Sequence, residues 1–580
     1  MSLLVVVTLS AVVLLIAYWT YGPVLSRLLR LDPRAETPAV RLRDDVDYVP
    51  IEPKFLLTQH FSAIAAAGPI VGPILAGAMF GWAPALIWIL VGSVLIGGVH
   101  DMTSLVASIR HQARSIADVV REHMTPRSYL LFLAFIWLAL VYIVVAFTDL
   151  VAHSFVLPLE LGAGTNAPAG TVAASSVLYL ILPVAMGVLL RYTRLSLNWA
   201  TLLFLPLVGI AIWVGRYIPL NLQAWFGIDA ATAQRVWCVL LLVYCYAASI
   251  APMWLLLQPR GHLGGFFLFI ALGGGALGLI FGGQTAQYPA FVGWQSAKGE
   301  PLFPLLFVLI ACGACSGFHS MIASGTTSKQ LRRETDARIV GYGTMLMEAM
   351  VAVVSLCCLM MLSPGDRLLS GGQGLNPDHI YAEGIGNFLA VIGISKAFGV
   401  AFGLMAFTTF VYDTLDVCTR LGRYVLQELT GWHGRFGRAV TTLLTAGVPL
   451  FFLLQQSTDV GGNVVPAWRT FWGLFGASNQ LLAALTLIGV TVWLWQTRRA
   501  RWVWFVTGLP AVAMYTMSTW ALGRIIYATY LKAGPTLDLV AWVAVVLLAL
   551  AGLMLIEAIL VVFGGVGPTR HHGAPALAAG

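Results

Sequence analysis

The chain has 580 residues, of which 59% are apolar and only 10% charged, with a mean hydropathy of +0.85. A soluble globular chain carries ~25% charged residues, so a soluble enzyme, a nucleic-acid binder and a disordered chain are excluded and a multi-pass membrane protein remains. The net charge of +8 fits basic residues gathered in cytoplasmic loops better than a nucleic-acid partner.

Polar, basic and Gly/Pro-rich breaks divide the chain into fifteen predicted membrane segments. They run over 3–23, 56–80, 83–108, 128–153, 171–190, 199–215, 236–257, 264–283, 302–324, 340–362, 397–416, 439–455, 470–495, 502–522 and 539–563. The expected fold class is therefore an all-α polytopic membrane protein of about 15 transmembrane helices. A shorter apolar stretch, 380–394, is predicted to be re-entrant or interfacial. The first segment lacks a basic leader and a small-residue cleavage site, so it reads as a retained helix rather than a signal peptide.

Placing the N-terminus outside and alternating the loops puts 25 of the 33 Lys/Arg residues inside and 8 outside. That asymmetry predicts an external N-terminus and a cytoplasmic C-terminus. With no long soluble loop, function is expected to reside in the membrane-embedded part.

The second segment holds two Gly-Pro steps, Gly68-Pro69 and Gly72-Pro73, with His60 and Ser62 just upstream. Each proline removes a backbone donor and clashes one turn back, so the middle of this span should unwind. Irregular backbone inside a bilayer is tolerated only where protein or a watery cavity satisfies it. The half-helix starting near Pro69 or Pro73 would then offer free N–H groups and a positive dipole end to a carboxylate. Ala251-Pro252 in the seventh segment is the expected counterpart of this interruption. The pair suggests two inverted repeats, segments 2–6 and 7–11, with segments 1 and 12–15 peripheral. Segment nine ends in a small, polar stretch from Cys312 through Ser316, His319 and Ser324 to Thr327, suited to close helix packing or to a site.

Ionisable groups inside spans are functional candidates by default. They are His100 and Asp101, His319, Glu348, and Asp413 with Asp416, three residues apart on one helix face. Asp416 precedes Arg420 by four, the spacing of a local ion pair. Glu557 reads as structural. Asn479-Gln480 add uncharged polar groups near mid-span. The seven cysteines all fall in or beside apolar stretches, and Cys312-x-x-Cys315 has no second pair, so neither disulfides nor a metal site are expected. Gly273-x-Gly275-x-x-Gly278 lies in an apolar span with no preceding strand and reads as helix packing, not a dinucleotide fingerprint. The run ending at Lys329 lacks the upstream glycine of a P-loop.

Several ordered motifs resemble the bacterial carbon starvation protein A family. They are Asp47-Tyr-Val-Pro50, Gln59-His60-Phe61 and Gly68-Pro-Ile-Val-Gly-Pro-Ile-Leu75. Further along come Ile310–Gly313 with Ser316–Thr327, Gly341–Glu348, Asp413-Thr-Leu-Asp416 with Thr419-Arg420, and Leu474–Gln480. The resemblance spans 47 to about 485. It implies a cytoplasmic-membrane secondary transporter of the five-plus-five inverted-repeat, leucine-transporter-like fold. It also implies uptake of peptides or pyruvate, with protons, during nutrient limitation. Family members often carry a His pair where this chain has Gln59-His60, and Gln-Asp where it has His100-Asp101.

The expected function is thus import of a small carboxylate or short peptide, coupled to protons, with no other cofactor and no nucleic-acid partner. Rival readings are an intramembrane enzyme, a nutrient sensor and a channel; no H-E-x-x-H or G-x-S-x-G motif supports the first. Expected substrate contacts are Gly68, Pro69, Gly72, Pro73, Ser316, His319, Asn479 and Gln480. Expected proton carriers are His60, Asp101, Glu348, Asp413 and Asp416. The expected divisions are 1–55, a first repeat 56–257, a second repeat 236–416, peripheral helices 417–563 and a disordered tail 564–580.

Overall fold

The computed structural model describes residues 1–45, 48–160, 166–370, 375–432, 434–455, 457–458, 464–528 and 539–564. Asp47, Lys532 and all of the expected tail after Gly564 lie outside the described residues. The described chain is helical apart from two antiparallel two-residue strand pairs, Leu159–Glu160 with Asn166–Ala167 and Ser457–Thr458 with Val464–Val465.

Each of the fifteen apolar segments is helical, but their number is not the number of continuous spans. Twelve helices among the described residues are long and apolar enough to cross a membrane, or up to 13 with the bent pair Pro53–Ile64 and Gly68–Phe80 counted as one span. Two predicted segments fall outside that set. Residues 302–327 are broken into short pieces, and 504–526 is a π turn leading into an 18-residue helix. Hydropathy measures apolar length and is blind to such interruptions. The 380–394 stretch belongs to helix Pro377–Val391, a 15-residue element with Asp378, Tyr381 and Phe388 buried.

The bent pair turns by 47°. Its break lies at 65–67, upstream of the expected 68–73. Ala65 leaves the helical region with ψ 66°, and Ala66 N–H turns back to the Ile64 carbonyl at 2.8 Å. Pro69 explains the position, because its ring clashes with the carbonyl four residues earlier, at Ala65. Gly68 and Pro69 open the second half-helix, and Pro73 is accommodated within it. The second interruption is also displaced. Pro252 breaks no span: Ala230–Ile250 simply ends before it, with Ala251 extended as a residue preceding proline prefers. The interruption falls in 302–327, where Cys315 and Ser316 are extended between Ala311–Ala314 and Gly317–Ile322.

The order of elements then repeats. The broken 53–80 span leads to Trp82–Arg110 with a π turn at Ser93–Gly97, the short helix Ile116–His123 and the 31-residue helix Pro126–Val156. The broken 302–327 span leads to Glu334–Met360 with a π turn at Arg338–Gly343, the short helix Pro377–Val391 and the 35-residue helix Lys396–Thr430.

Helix Ala467–Arg498, expected at the periphery, is central: 94% of its most apolar stretch is buried, as for Lys396–Thr430. By contrast Leu197–Gly215 and Val540–Phe563 are each 28% buried and form the outer layer. A helix apolar on all sides reads as lipid-facing or core alike, and Asn479-Gln480 belong to the latter. Isolated bridges tie Ser2 to Thr285 at one end, and Glu36 to Arg333 and Ile51 to Leu331 at the other.

Candidate transport site

The two interrupted spans pack directly on one another. A Cβ on Gly68 would collide with Cys312, and one on Gly72 with the Leu309 carbonyl. Only glycine allows this approach, in which backbone lies against backbone. In this conformation Gly68, Pro69, Gly72 and Pro73 are buried in that contact. In the helix's opening turn the Ile70 and Val71 N–H groups are taken by the Ala67 carbonyl.

Beside the contact lies a fully buried charged cluster drawn from three segments. His319 Nδ1 is 2.7 Å from Asp101 Oδ2, and His319 Nε2 is 3.2 Å from Glu348 Oε2. His100 Nδ1 holds the other Asp101 oxygen at 2.8 Å. All four residues have no exposed surface. Asp101 accepts from both imidazoles, so the hydrogen on His319 Nδ1 is fixed. His319 Nε2 faces Glu348, with no hydrogen bond formed between them. Two carboxylates and one cationic imidazole leave an odd negative charge, which an apolar interior does not tolerate without a further proton. His60 extends the cluster, with Nδ1 2.8 Å from Thr327 Oγ1 and Nε2 without a partner.

A second buried cluster centres on Arg260. Its Nε is 2.9 Å from Asp413 Oδ1, and it also pairs with Asp416 and Tyr244. Tyr244 donates to Asp416 at 2.8 Å, and Ser62 donates to Asp413. The expected Asp416–Arg420 pair does not form. Arg420 donates instead to the Ala248 and Ala251 carbonyls, 2.8 and 2.6 Å away, at the end of Ala230–Ile250. Arg260 was missed because Pro259-Arg-Gly-His262 reads as a loop. The signal was available: a lone Arg within a long apolar run needs buried carboxylates.

Asn479 satisfies the extended break in the second interrupted span. Its Oδ1 accepts from Phe318 N–H at 2.9 Å and from Ser316 at 3.2 Å, and its Nδ2 reaches Cys312 Sγ at 3.3 Å. Gln480 is not part of this group; it donates to the Phe307 carbonyl at 2.6 Å. All seven cysteines are buried and free. Of the rejected fingerprint, Gly275 and Gly278 pack on Val354 and Phe388, while Gly273 faces open space. Glu557 accepts from Thr125 at 2.7 Å, away from both clusters.

Between the clusters is a cavity of about 20 Å³, room for one water, lined by Gln59, His60, Thr327 and Asp413 among others. Gln59 also lines a 270 Å³ cavity with Phe55, Arg191, Trp254 and His262. Arg191 and Trp254 in turn border a 490 Å³ cavity whose wall includes Arg420, Arg423 and Arg438. The three spaces lie next to one another, sharing Gln59 and then Arg191 and Trp254 as walls.

A polytopic helical protein with two interrupted spans meeting at buried acids belongs to the class of membrane transporters. The solved Eremococcus coleocola manganese transporter, in complex with an aromatic bis-isothiourea substituted compound, shares the fold. It aligns at TM-score 0.50 and 12% identity over 90% of this chain and 98% of that one. The chain matches Carbon starvation protein CstA over residues 2–369 and 370–521, and it belongs to that family. It is 31% identical to the pyruvate/proton symporter BtsT of Escherichia coli K12, over 91% of this chain and 82% of that protein. It is also 31% identical to the peptide transporter CstA of the same strain, over 86% and 78%. The peptide transporter CstA of Bacillus subtilis strain 168 is 30% identical, over 90% of both chains. The protein is a transporter rather than an enzyme.

Proposed function

We propose that the protein is a proton-coupled secondary importer of small carboxylates such as pyruvate, or of short peptides, used in nutrient limitation. The observation that carries this reading is the sealed Asp101–His319–Glu348 cluster, whose charges do not cancel, set against the contact between two interrupted helices. The named activities of the relatives support it, as does the arginine-lined cavity, whose charge suits a substrate bearing a carboxylate. The substrate carboxylate would bind where Gly68–Pro73, Ser316, His319 and Asn479 converge once the two interrupted spans separate, with Gln480 at the edge. Protons would move among His60, Asp101, His319 and Glu348, with Asp413 and Asp416 held by Arg260 as the second acidic pair.

In this reading the repeated order of elements is a pair of inverted halves, beginning at residues 53 and 302, that rock against each other. The protein would sit in the bacterial cytoplasmic membrane with its N-terminus outside and C-terminus inside. The arginine-lined cavity would then open to the cytoplasm.

The test is uptake of radiolabelled pyruvate and dipeptides by proteoliposomes. An inward proton gradient should drive accumulation of at least one of them, abolished by a protonophore. Uptake of both no faster than in empty vesicles would overturn the reading.

A further inference from the structure

Away from the transport site, two histidines meet at the end of the Trp82–Arg110 span. His111 Nε2 lies 2.9 Å from His123 Nε2, with the rings edge to face. The partners of the other ring nitrogens decide what that contact means. His111 Nδ1 is 2.6 Å from the Ala107 carbonyl, which only accepts. His123 Nδ1 is 2.9 Å from Gln496 Oε1. The Gln496 amide is itself oriented, because its Nε2 donates to the His123 carbonyl at 3.0 Å. Both hydrogens therefore sit on Nδ1, and both Nε2 lone pairs face each other. Two lone pairs at that distance repel unless a proton or a metal cation lies between them.

The same arrangement is how proteins prepare metal-binding imidazoles: the second ring nitrogen donates to a carbonyl oxygen, fixing tautomer and ring direction. Zinc binds imidazole nitrogen at ~2.0–2.1 Å and is almost always tetrahedral, so a small opening of the ring pair admits the ion. A third ligand is at hand. A carboxylate oxygen of Glu122 and the ligand nitrogens all lie within 4.8 Å of one another. Glu122 is exposed and His123 partly so, giving an ion access and leaving the glutamate free to swing in. No metal ligands were expected from the sequence, where only the cysteine spacing bore on metal binding.

We propose that His111, His123 and Glu122 form a binding site for a divalent transition-metal cation of the zinc class. The site ties the end of Trp82–Arg110 to helix Ile116–His123 and to Gln496 of Ala467–Arg498. That helix starts beside the second interrupted span, where Ile116 N–H donates to Ser324 Oγ at 3.1 Å. A bound ion would therefore hold the helix in place and slow transport, a consequence that rests on the function proposed above.

The experiment uses the metal-stripped full chain in lipid nanodiscs, dialysed against Zn²⁺ and assayed for bound metal. Wild type should bind one zinc per chain that the double variant His111→Gln/His123→Gln lacks, and zinc should raise the melting temperature of wild type alone. Gln496→Ala keeps all three ligands but frees the His123 ring, and should weaken zinc roughly 10–100-fold. Ca²⁺ should not compete. Equal zinc binding by wild type and the double variant would overturn the site. So would undiminished affinity in Gln496→Ala, which also serves if the double variant fails to fold. In proteoliposomes, zinc should slow uptake by wild type and spare the double variant. Binding without slowing would overturn the clamp, and absence of all uptake without zinc would count against the transport reading alone.

Discussion

At the residue scale, the decisive groups come in buried combinations whose charges do not cancel. Arg260 faces Asp413 and Asp416, and His319 stands between Asp101 and Glu348. Removing one partner of such a group strands the rest. Arg260→Met leaves two buried carboxylates without a counter-charge and should cost about 3–5 kcal/mol, read as a lower melting temperature in detergent. Adding Asp413→Asn and Asp416→Asn should recover much of that stability. A melting temperature unmoved by Arg260→Met would show that the arginine does not hold the acids. The carboxylates and His319 were legible in the sequence because an ionisable residue in an apolar run stands out. Their pairing was not, because Asp101, His319 and Glu348 lie in three different segments, brought together where Gly97 packs on Ala314 and Gly341 on Met102. Asp416 illustrates the limit. Local spacing favours Arg420, but that side chain is taken by the carbonyls that end Ala230–Ile250.

At the scale of elements, the interrupted spans depend on substitutes for lost helical hydrogen bonds. Asn479 serves the second, binding Phe318 N–H and the Ser316 hydroxyl from a neighbouring helix. Asn479→Ala leaves these groups unpaired in the interior, a penalty of about 1–3 kcal/mol. The expected outcome is faster hydrogen exchange confined to residues 315–320 and weaker substrate affinity. Unchanged exchange there would show that the break is held by other means. The existence of a broken span could be read from Gly68-Pro69 and Gly72-Pro73. Its location could not be read as simply, because proline acts on the carbonyl four residues back. The second break has no proline at Cys315-Ser316 to announce it, which is why Pro252 was the misleading signal. Small residues and a polar run were the only marks that segment nine carried.

At the scale of the whole molecule, the basic-residue count predicts which loops share a side of the membrane. Glu36 and Ile51 bridge to Arg333 and Leu331 at one end, and Ser2 to Thr285 at the other. Single cysteines replacing Arg34 and Lys298, in a background lacking the seven native ones, should label from opposite sides of intact cells, Lys298→Cys from outside. Labelling of both from one side would refute the arrangement. The fifteen apolar segments were legible as helices from composition alone. Which of them form the centre was not, since hydropathy does not separate a helix facing lipid from one facing protein; Ala467–Arg498 is the instance.

The central claim is that Glu348 and His319 carry the coupling proton, and Glu348→Gln tests it most directly, since the amide keeps the shape and cannot lose a proton. The measurement compares proton-gradient-driven accumulation with exchange of labelled for unlabelled substrate across proteoliposomes, using the substrate that wild type transports. The account predicts that Glu348→Gln still exchanges substrate but no longer accumulates it under an inward proton gradient. Accumulation equal to wild type would contradict it.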